Sequence, residues 1–241
     1  MKKNDLIKKL NYKFLDGIAH RGLHTETITE NSIEAFKNAL LQDVAIELDV
    51  HLSKDKELIV CHDANLKRTT GKEGIIEDLT LKEIKDNYLL LNKETVPTLK
   101  EVLDLVNEEV PLVIELKPDT KKKNYKELAY KVIEELKVIK DKGNIMIISF
   151  YPQCLFPIKK EGYARLLLVN SSDSYTYILR NFFEGVDLDY TLFNKKKYQK
   201  SIKKRLTISW TIDNLEKYEF ASKYSDTVTY QYIDPKIIKR K

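Results

Sequence analysis

The sequence predicts an α/β protein built as a TIM-like (β/α)8 barrel, with a short hairpin after the second strand at the C-terminal mouth. Short apolar runs alternate with segments of helical periodicity along the 241 residues, and this order is typical of βα units around a parallel sheet. Eight runs have the character of strands, which is the number that closes such a barrel. No G-x-G-x-x-G follows any of these runs, which disfavours a dinucleotide-binding open sheet. The length predicts one domain over residues 1–241.

The elements follow from the spacing of apolar residues. Strands are predicted, in chain order, at residues 17–19, 44–50, 112–116, 145–149, 165–169, 185–188, 206–210 and 227–232. Helices are predicted at residues 32–42, 98–108 and 125–140, because apolar residues recur there every three or four positions. Asn31 or Ser32 would cap the first of these helices. In a closed barrel the chemistry lies at the C-terminal ends of the strands, so the polar residues at those ends form the candidate site.

Composition limits the classes of function. A hydrophobic share of 42% excludes a disordered chain. The net charge of +5 arises from 42 basic and 37 acidic residues, which predicts a mixed-charge surface that favours a small anionic substrate and no nucleic-acid partner. The N-terminal lysines precede no apolar signal-peptide core, and no run approaches the roughly 18 apolar residues of a membrane span. We therefore expect a cytoplasmic protein without stable membrane anchoring.

The first predicted strand runs directly into His20, Arg21 and Gly22. A histidine can transfer a proton near neutral pH, and an arginine can bind phosphate through a planar fork of donors. Glycine allows a close approach of backbone or substrate. This tripeptide is a weak signal by itself, because a lone histidine is more often an ordinary hydrogen-bonded side chain.

Carboxylates mark the second strand. Side chains alternate along a strand, so Glu47, Asp49 and His51 share one face. Two carboxylates in an apolar strand are unfavourable unless a positive group compensates them. A hard divalent cation bound through oxygen and a buried salt bridge to lysine or arginine both fit this pattern.

The next parallel strand repeats the pattern, with Glu115 and Lys117 on one face. In a barrel this strand neighbours the second one, so Glu115 can converge on Glu47 and Asp49. Lys117 can then neutralise a phosphate as a point charge. A Glu–Lys pair that satisfies itself is the alternative for this strand alone.

A hairpin is predicted to involve residues 57–63. The four residues before it are too few for a crossover helix, so the segment should fold back over the mouth and bring His62 there. Asp63 would orient the ring or cap the following turn. His20 and His62 would form an acid–base pair. His24 falls in a loop and is expected to have no chemical role.

Seven short motifs occur in the order and at the spacings of the glycerophosphodiester phosphodiesterase family, which the chain resembles over roughly residues 17–235. No single motif is specific, but the ordered set is. The motifs are His20-Arg21-Gly22, Glu30-Asn31-Ser32, Glu47-Leu48-Asp49-Val50, His62-Asp63 with Leu66-x-Arg68-Thr69-Thr70 and Gly74, Glu115-Leu116-Lys117, Ser149-Phe150 and Trp210-Thr211.

This resemblance implies a metal-dependent phosphodiesterase that acts on a small-molecule phosphodiester and releases glycerol 3-phosphate and an alcohol. Either Ca²⁺ or Mg²⁺ suits an all-carboxylate site. Attack by the neighbouring glycerol hydroxyl, through a cyclic phosphate, and direct attack by water both remain open. The roles implied are one divalent cation held by Glu47, Asp49 and Glu115, general acid–base catalysis by His20 and His62, and substrate contacts from Arg21, Lys117 and Trp210.

The sequence departs from the family pattern in two places. Asp55-Lys56 stands where the family usually has Asp-Gly, which would change the type of the turn. The last strand lacks the family's Thr-Asp-x-Pro ending and continues as Tyr232-Ile233-Asp234-Pro235. The expected acidic position is displaced or absent, which leaves the role of this strand undefined.

Two other functions stay open. One is phospholipase D-like action on lysophospholipids or sphingomyelin, which needs an apolar surface around the mouth; residues 89–91 and 151–156 are the candidates for it. Most aromatic and aliphatic residues fall on core periodicities, so we expect no such surface and a preference for small, water-soluble diesters. The other is a barrel that binds a phosphate ligand without catalysis.

Overall fold

Eight parallel strands close into a barrel in the computed structural model, which describes residues 2–172 and 174–239. The first strand pairs with both the second and the last, which closes the sheet, and one short strand pairs outside the ring. The predicted (β/α)8 fold is confirmed. The strands are β1 (Ile18–Ala19), β2 (Ala45–Leu52), β3 (Leu58–Val60), β4 (Leu112–Leu116), β5 (Ile145–Ser149), β6 (Ala164–Val169), β7 (Gly185–Asp189), β8 (Leu206–Ile212) and β9 (Thr227–Tyr230).

Helices cover the outside of the barrel. The α-helices are α1 (Lys3–Ile7), α2 (Ile33–Leu41), α3 (Lys67–Thr70), α4 (Leu81–Asn87), α5 (Leu99–Val106), α6 (Tyr125–Glu135), α7 (Pro152–Ile158), α8 (Lys196–Gln199), α9 (Leu215–Ala221) and α10 (Pro235–Ile238). The 3₁₀ helices are Tyr12–Asp16, Ile76–Asp78, Leu136–Val138, Lys142–Asn144, Ser174–Phe182, Tyr190–Asn194 and Ser201–Lys203. Within the described part of the chain, none of the helices has the length and apolar character needed to cross a bilayer.

The predicted hairpin after the second strand is confirmed. β3 runs antiparallel to β2, with Val50 opposite Val60 and Leu52 opposite Leu58. In the turn between them Lys56 takes a left-handed φ of 68°, the conformation that glycine adopts without strain. The turn therefore keeps a backbone geometry suited to Asp-Gly although its second residue is a lysine.

Apolar side chains fill the barrel below the mouth. Val113, Met146 and Ile208 point inward and form one buried cluster. Leu6 of α1 and Phe14 of the 3₁₀ helix that follows belong to the same cluster, so the N-terminal segment packs against the end of the barrel at which the strands begin. The opposite, C-terminal end is the one left for a binding site.

Three predicted elements end earlier than expected, two of them because single residues leave the regular conformation. α5 ends before Asn107, whose φ of 43° terminates the helix in the left-handed region. β9 ends two residues before Tyr232, which has a φ of 59° and therefore cannot extend a strand. Tyr125–Glu135 is shorter than the predicted helix and continues only as one 3₁₀ turn.

Glu135, at the end of α6, carries a perturbed carboxyl. Burial, together with repulsion from Glu57, raises the pKa of Glu135 to about 7. The folded pKa thus lies above the unfolded one, so the folded state binds the proton more tightly. Stability should therefore fall as the pH rises from the ordinary carboxyl pKa through the raised one.

We expect Glu135→Gln to raise the melting temperature by about 2 °C or more at about pH 8 and to give no gain at about pH 4, because the amide cannot ionise. Thermal unfolding followed by circular dichroism measures both values. Glu134→Gln is the matched control, since Glu134 lies next to it in the sequence but pairs with Lys131 at 3.5 Å. Equal changes at the two pH values would contradict this account.

Candidate active site

Three carboxylates meet at the C-terminal ends of β2 and β4. Glu47 and Asp49 are two residues apart on β2 and therefore share its inward face. The parallel register places Asp49 beside Glu115 of β4. One oxygen from each carboxylate lies within 4.8 Å of the other two, and all three side chains are buried. Strand alternation and register together produce the convergence that the sequence predicts.

Two cations compensate part of this charge. Lys117 Nζ lies 2.8 Å from Glu115 Oε1 and 3.3 Å from Asp49 Oδ1. The backbone N–H of Arg21 donates to Glu47 Oε2 at 2.9 Å, and its Nε lies 3.4 Å from Asp49 Oδ2. The buried salt bridges that were the alternative for these strands are therefore present. Yet in the part of the chain that the structure describes, three carboxylates face two such cations.

Burial and the charges of the cluster shift the pKa values of the three carboxyl groups. Burial opposes the ionisation of Asp49, but Lys117 and Arg21 hold the pKa of its carboxyl below the ordinary value. Burial and repulsion from Asp49 raise the pKa of Glu47 well above its ordinary value. Burial also raises the pKa of Glu115 to about 7. A proton or a further cation at this point would relieve the repulsion.

The donor set fits a hard divalent cation. Ca²⁺ and Mg²⁺ take oxygen ligands, chiefly carboxylates, and the cluster supplies three carboxylates within reach of one ion. A divalent charge would also offset the negative surplus that Arg21 and Lys117 leave. Glu47, Asp49 and Glu115 are therefore the residues that could hold a cation.

The loop after β1 positions Arg21 beside the carboxylates. Arg21 takes a left-handed φ of 54°. Gly22 follows with a φ of 79°, and a Cβ at this position would lie only 2.9 Å from Ala35 of α2. Only glycine allows this close approach, so the loop is held down on the helix and the Arg21 side chain stays at the mouth.

Asn31 belongs to the site and not to the helix cap. Its Nδ2 donates to Asp49 Oδ2 at 2.9 Å, and its backbone N–H donates to Arg21 O at 2.9 Å. The cap of α2 is Ser32, whose Oγ accepts a bond from the backbone of Ala35. Of the two cap candidates that the sequence offers, Ser32 is the cap, because the side chain of Asn31 is bonded to the acidic cluster.

His20 lies at the mouth and is held by the last strand. Its backbone N–H donates to Tyr230 O at 2.8 Å, and its Nδ1 lies 2.7 Å from Gln231 Oε1. An amide oxygen only accepts, so Nδ1 carries the proton and Nε2 keeps its lone pair. Burial and the neighbouring Arg21 lower the pKa of His20 to about 3. The atypical last strand therefore has a defined contact through Gln231.

The hairpin brings His62 to the same cluster. Its Nδ1 lies 2.6 Å from Asp63 Oδ1, and Asp63 Oδ2 accepts from Arg68 Nε at 2.5 Å. Arg68 also donates to both oxygens of Glu30, so the ring is oriented through a chain of charged bonds. Burial lowers the pKa of His62, while the charge of Asp49 opposes this effect.

Two supporting contacts were not predicted from the sequence. His51 lies on the inward face of β2, but its Nδ1 is 2.7 Å from Glu77 Oε1 and its Nε2 is 3.1 Å from His62 O. It therefore braces the hairpin instead of joining the carboxylates. Glu30 accepts a bond from Arg21 NH1 at 2.8 Å, which links the loop after β1 to the hairpin. The Glu-Asn-Ser motif was the available signal for Glu30, whereas no spacing rule points to Glu77.

Trp210 lines one side of the mouth. Its ring packs edge-to-face against Phe150, with 5.6 Å between the centroids, and its Nε1 donates to Asp187 O at 3.3 Å. Asp187 is buried, and burial together with the charge of Glu115 raises the pKa of its carboxyl well above the ordinary value. The wall beside Trp210 is therefore apolar and adjoins a carboxyl that favours its neutral form.

An aromatic groove leaves the mouth between α7 and the 3₁₀ helix Ser174–Phe182. It has a volume of about 610 Å³ and is lined by Phe150, Tyr151, Phe156 and Tyr175 among others. Tyr175 and Ile178 are 76% and 74% exposed. The expectation of no apolar surface beside the mouth is therefore wrong. Residues three apart align in a 3₁₀ helix, so Tyr175 and Ile178 share one solvent-facing line.

The sequence-predicted site residues all lie at this end of the barrel. They are His20, Arg21, Glu47, Asp49, His62, Glu115, Lys117 and Trp210. Their chemical roles remain predictions. His24 is not one of these residues; it lies in the loop after β1, where its ring packs edge-on against Tyr232 with 5.1 Å between the centroids.

Fold and site together define the class of the protein, a TIM barrel with a buried polar site at the C-terminal mouth. Residues 20–204 match the glycerophosphoryl diester phosphodiesterase family. The chain belongs to this family, as its ordered motifs indicate.

Sequence similarity to named proteins agrees with membership of this family. A glycerophosphodiester phosphodiesterase from Caldanaerobacter subterraneus is 39% identical over 151 residues, which cover 59% of this chain and 61% of that protein. Lysophospholipase D GDPD1 from Mus musculus is 36% identical over 113 residues, which cover 42% of this chain and 35% of that protein. The matched region thus spans about three fifths or less of these relatives.

Solved structures share the fold over most of their length. A glycerophosphodiester phosphodiesterase from Thermotoga maritima is 27% identical with a TM-score of 0.72, covering 88% of this chain and 92% of that one. An Oleispira antarctica phosphodiesterase, solved in complex with the product sn-glycerol-3-phosphate, has a TM-score of 0.78 at 24% identity, covering 91% of this chain and 94% of that one. At that identity the second likeness shows the fold alone.

The contact between His20 and Gln231 predicts one tautomer. We expect long-range ¹H–¹⁵N NMR spectra to show His20 neutral and protonated on Nδ1 from about pH 5 to about pH 8, because its pKa is lowered to about 3. Gln231→Leu should lose this single tautomer while the histidine signals remain assignable. A His20 ring that titrates near the ordinary histidine pKa would contradict the arrangement.

Proposed function

We propose that this protein hydrolyses glycerophosphodiesters to glycerol 3-phosphate and an alcohol, with a bound divalent cation and two histidines. The observation that carries the proposal is that two histidines, the basic side chains of Arg21 and Lys117, and three carboxylates converge at one end of the barrel. Each group suits one part of a phosphodiester reaction. The family membership supports the same activity.

The carboxylates are proposed to hold Ca²⁺ or Mg²⁺. Glu47, Asp49 and Glu115 would ligate the ion through oxygen. The ion would supply Lewis-acid polarisation of the phosphate. Asn31 would keep Asp49 in place through its amide, and the raised pKa values of Glu47 and Glu115 would fall once a cation lay beside them.

The two histidines are proposed to divide the proton transfers. His20 donates through Nδ1 to Gln231, which leaves Nε2 free to accept the proton of the attacking hydroxyl or water. His62 has a carboxylate, Asp63, on its Nδ1, and this partner stabilises the protonated ring. His62 is therefore the better donor of a proton to the leaving alcohol.

The remaining groups are proposed to bind substrate. Arg21 and Lys117 would neutralise the phosphate, Arg21 through its planar fork and Lys117 as a point charge. Both already lie against the carboxylates, so phosphate and cation would occupy adjacent positions. Trp210 would form the apolar wall beside the glycerol carbons.

A second candidate is hydrolysis of lysophospholipids. The aromatic groove beside the mouth favours it, because Phe150, Tyr151 and Phe156 offer an apolar lining that could receive an acyl chain. The likeness to a lysophospholipase D over part of the chain points the same way. A barrel that binds phosphate without catalysis has no comparable support, since both histidines reach the acidic cluster.

Cation binding can be measured without turnover. We expect isothermal calorimetry to show one Ca²⁺ or Mg²⁺ site in the wild type and at least about tenfold weaker binding in Asp49→Asn, which removes one ligand charge from the cluster. Asp104→Asn is the control, since it makes the same chemical change at an exposed carboxylate that pairs with Lys100 on the helix α5. Unchanged binding in Asp49→Asn would remove the carboxylates from the proposed site.

The histidine roles are tested by substitution. We expect His20→Ala and His62→Ala each to lower kcat for glycerophosphocholine on the order of 10²-fold or more, as for general acid–base groups. His24→Ala should change kcat less than about threefold, because this ring packs against Tyr232 and is not part of the cluster of three carboxylates. An effect of His24→Ala as large as that of His62→Ala would place the acid–base pair elsewhere.

The cation-loaded wild type should also be assayed on lysophosphatidylcholine below its micelle concentration. A higher kcat/KM for glycerophosphocholine supports the first candidate, and a higher value for the lysolipid supports the second. No turnover of either by a cation-loaded wild type would overturn both.

A further inference from the structure

One face of the barrel carries exposed apolar side chains in a group. The 3₁₀ helix Ser174–Phe182 exposes Tyr175 (76%), Ile178 (74%) and Phe182 (59%). Phe156 of α7 is 46% exposed and packs edge-on against Phe182, with 6.2 Å between the centroids. Isolated exposed apolar residues are ordinary, but a contiguous group of this kind marks a contact surface.

A basic segment lies beside this group. Residues 195–205 hold seven basic residues and no acidic one. Of the 42 basic and 37 acidic residues of the chain, the remainder outside this segment is 35 basic and 37 acidic. The positive excess of the protein therefore resides entirely in these eleven positions.

The apolar and basic groups border one groove. Its volume is about 600 Å³, and its lining includes Tyr175 and Ile178 on one side and Lys197, Lys200 and Lys204 on the other. Among residues 2–172 and 174–239, no ion pair joins these three lysines to a carboxylate. We call the four apolar side chains and the basic residues of 195–205 the basic–apolar surface.

We propose that the basic–apolar surface docks on an anionic lipid bilayer. Lysines beside exposed aromatic and aliphatic side chains match an interface of negative headgroups over acyl chains. A nucleic acid would use the lysines but give Ile178 and Phe182 no partner of matching chemistry. Tyr175 and Phe156 also line the aromatic groove that begins at the mouth, so docking would hold the groove at the bilayer. Docking through this surface needs no membrane span, so it is compatible with the expected absence of stable membrane anchoring.

The contributions can be separated by experiment. Charge attraction falls steeply with salt, because exposed charges are screened beyond about 8 Å at physiological ionic strength. Insertion of apolar side chains does not depend on salt in this way. Lysine variants should therefore weaken binding most at low salt, and apolar variants should weaken it at all salt concentrations.

The test is co-sedimentation of the full chain with vesicles of phosphatidylglycerol and phosphatidylcholine in equal parts, compared with vesicles of phosphatidylcholine alone. We expect the wild type to bind the anionic vesicles at low salt. The triple variant Lys197→Glu, Lys200→Glu, Lys204→Glu should bind about 100-fold more weakly, since each lysine near such a surface contributes about 1 kcal/mol and 1.4 kcal/mol is tenfold. Tyr175→Ser with Ile178→Ser should bind several-fold more weakly at every salt concentration.

The matched control is Lys37→Glu, Lys137→Glu, Lys223→Glu, which makes the same change in net charge at exposed lysines of other elements. It should bind within about twofold of the wild type. Equal losses in the two triple variants, or no binding of wild type to anionic vesicles at low salt, would overturn the proposal. Displacement from vesicles by duplex DNA, with no effect of the serine variants, would overturn it in favour of a nucleic-acid surface.

Binding is read independently of catalysis, so the proposed hydrolysis can fail while docking holds. Turnover of soluble glycerophosphocholine and the circular dichroism spectrum should be the same for the wild type and both triple variants, because none of the substituted lysines lies at the acidic cluster. If only the variant Lys197→Glu, Lys200→Glu, Lys204→Glu loses the folded spectrum, vesicle binding of the Tyr175→Ser, Ile178→Ser variant becomes the test. Unchanged vesicle binding in that variant would overturn the proposal.

Discussion

Three carboxylates held within a few ångströms of each other, facing two cations, are the constraint on which the rest of the site depends. Glu47, Asp49 and Glu115 are buried, and such a cluster is stable only if positive charge or hydrogen-bond donors surround it. Arg21 and Lys117 supply part of that charge. The tight loop after β1 and the lysine two residues beyond Glu115 can be understood as consequences of this requirement. The part left uncompensated is the physical reason to place a divalent cation there.

The barrel makes this arrangement rigid. β1 is only two residues long, yet it pairs with strands on both sides, so His20 and Arg21 emerge at a defined position beside β2. Gln231 follows β9 directly, and its side chain sets the proton position on His20. The last strand, which lacks the family's Thr-Asp-x-Pro ending, is thus followed by a residue that contacts the proposed base, His20. An amide here can orient the ring but adds no negative charge to the site.

Much of the fold and the centre of the site could be predicted because the signals are local. Alternation along β2 places Glu47 and Asp49 on one face, and a turn of four residues permits only a hairpin before His62. The contacts that could not be predicted join residues far apart in the chain. Gln231 meets His20 across 211 positions, and no sequence period encodes such a pair. The sequence likewise left the cap of α2 open between Asn31 and Ser32, because only the tertiary contact with Asp49 distinguishes them.

We propose that the acidic cluster at the mouth, loaded with a divalent cation, supports hydrolysis of a glycerophosphodiester. The most direct measurement is ³¹P NMR of glycerophosphocholine incubated with the purified protein, with Ca²⁺ or Mg²⁺ and with a chelator. We expect the diester signal to be converted into that of glycerol 3-phosphate when the cation is present, and no conversion when the chelator is present. Full conversion by the chelated protein would contradict it.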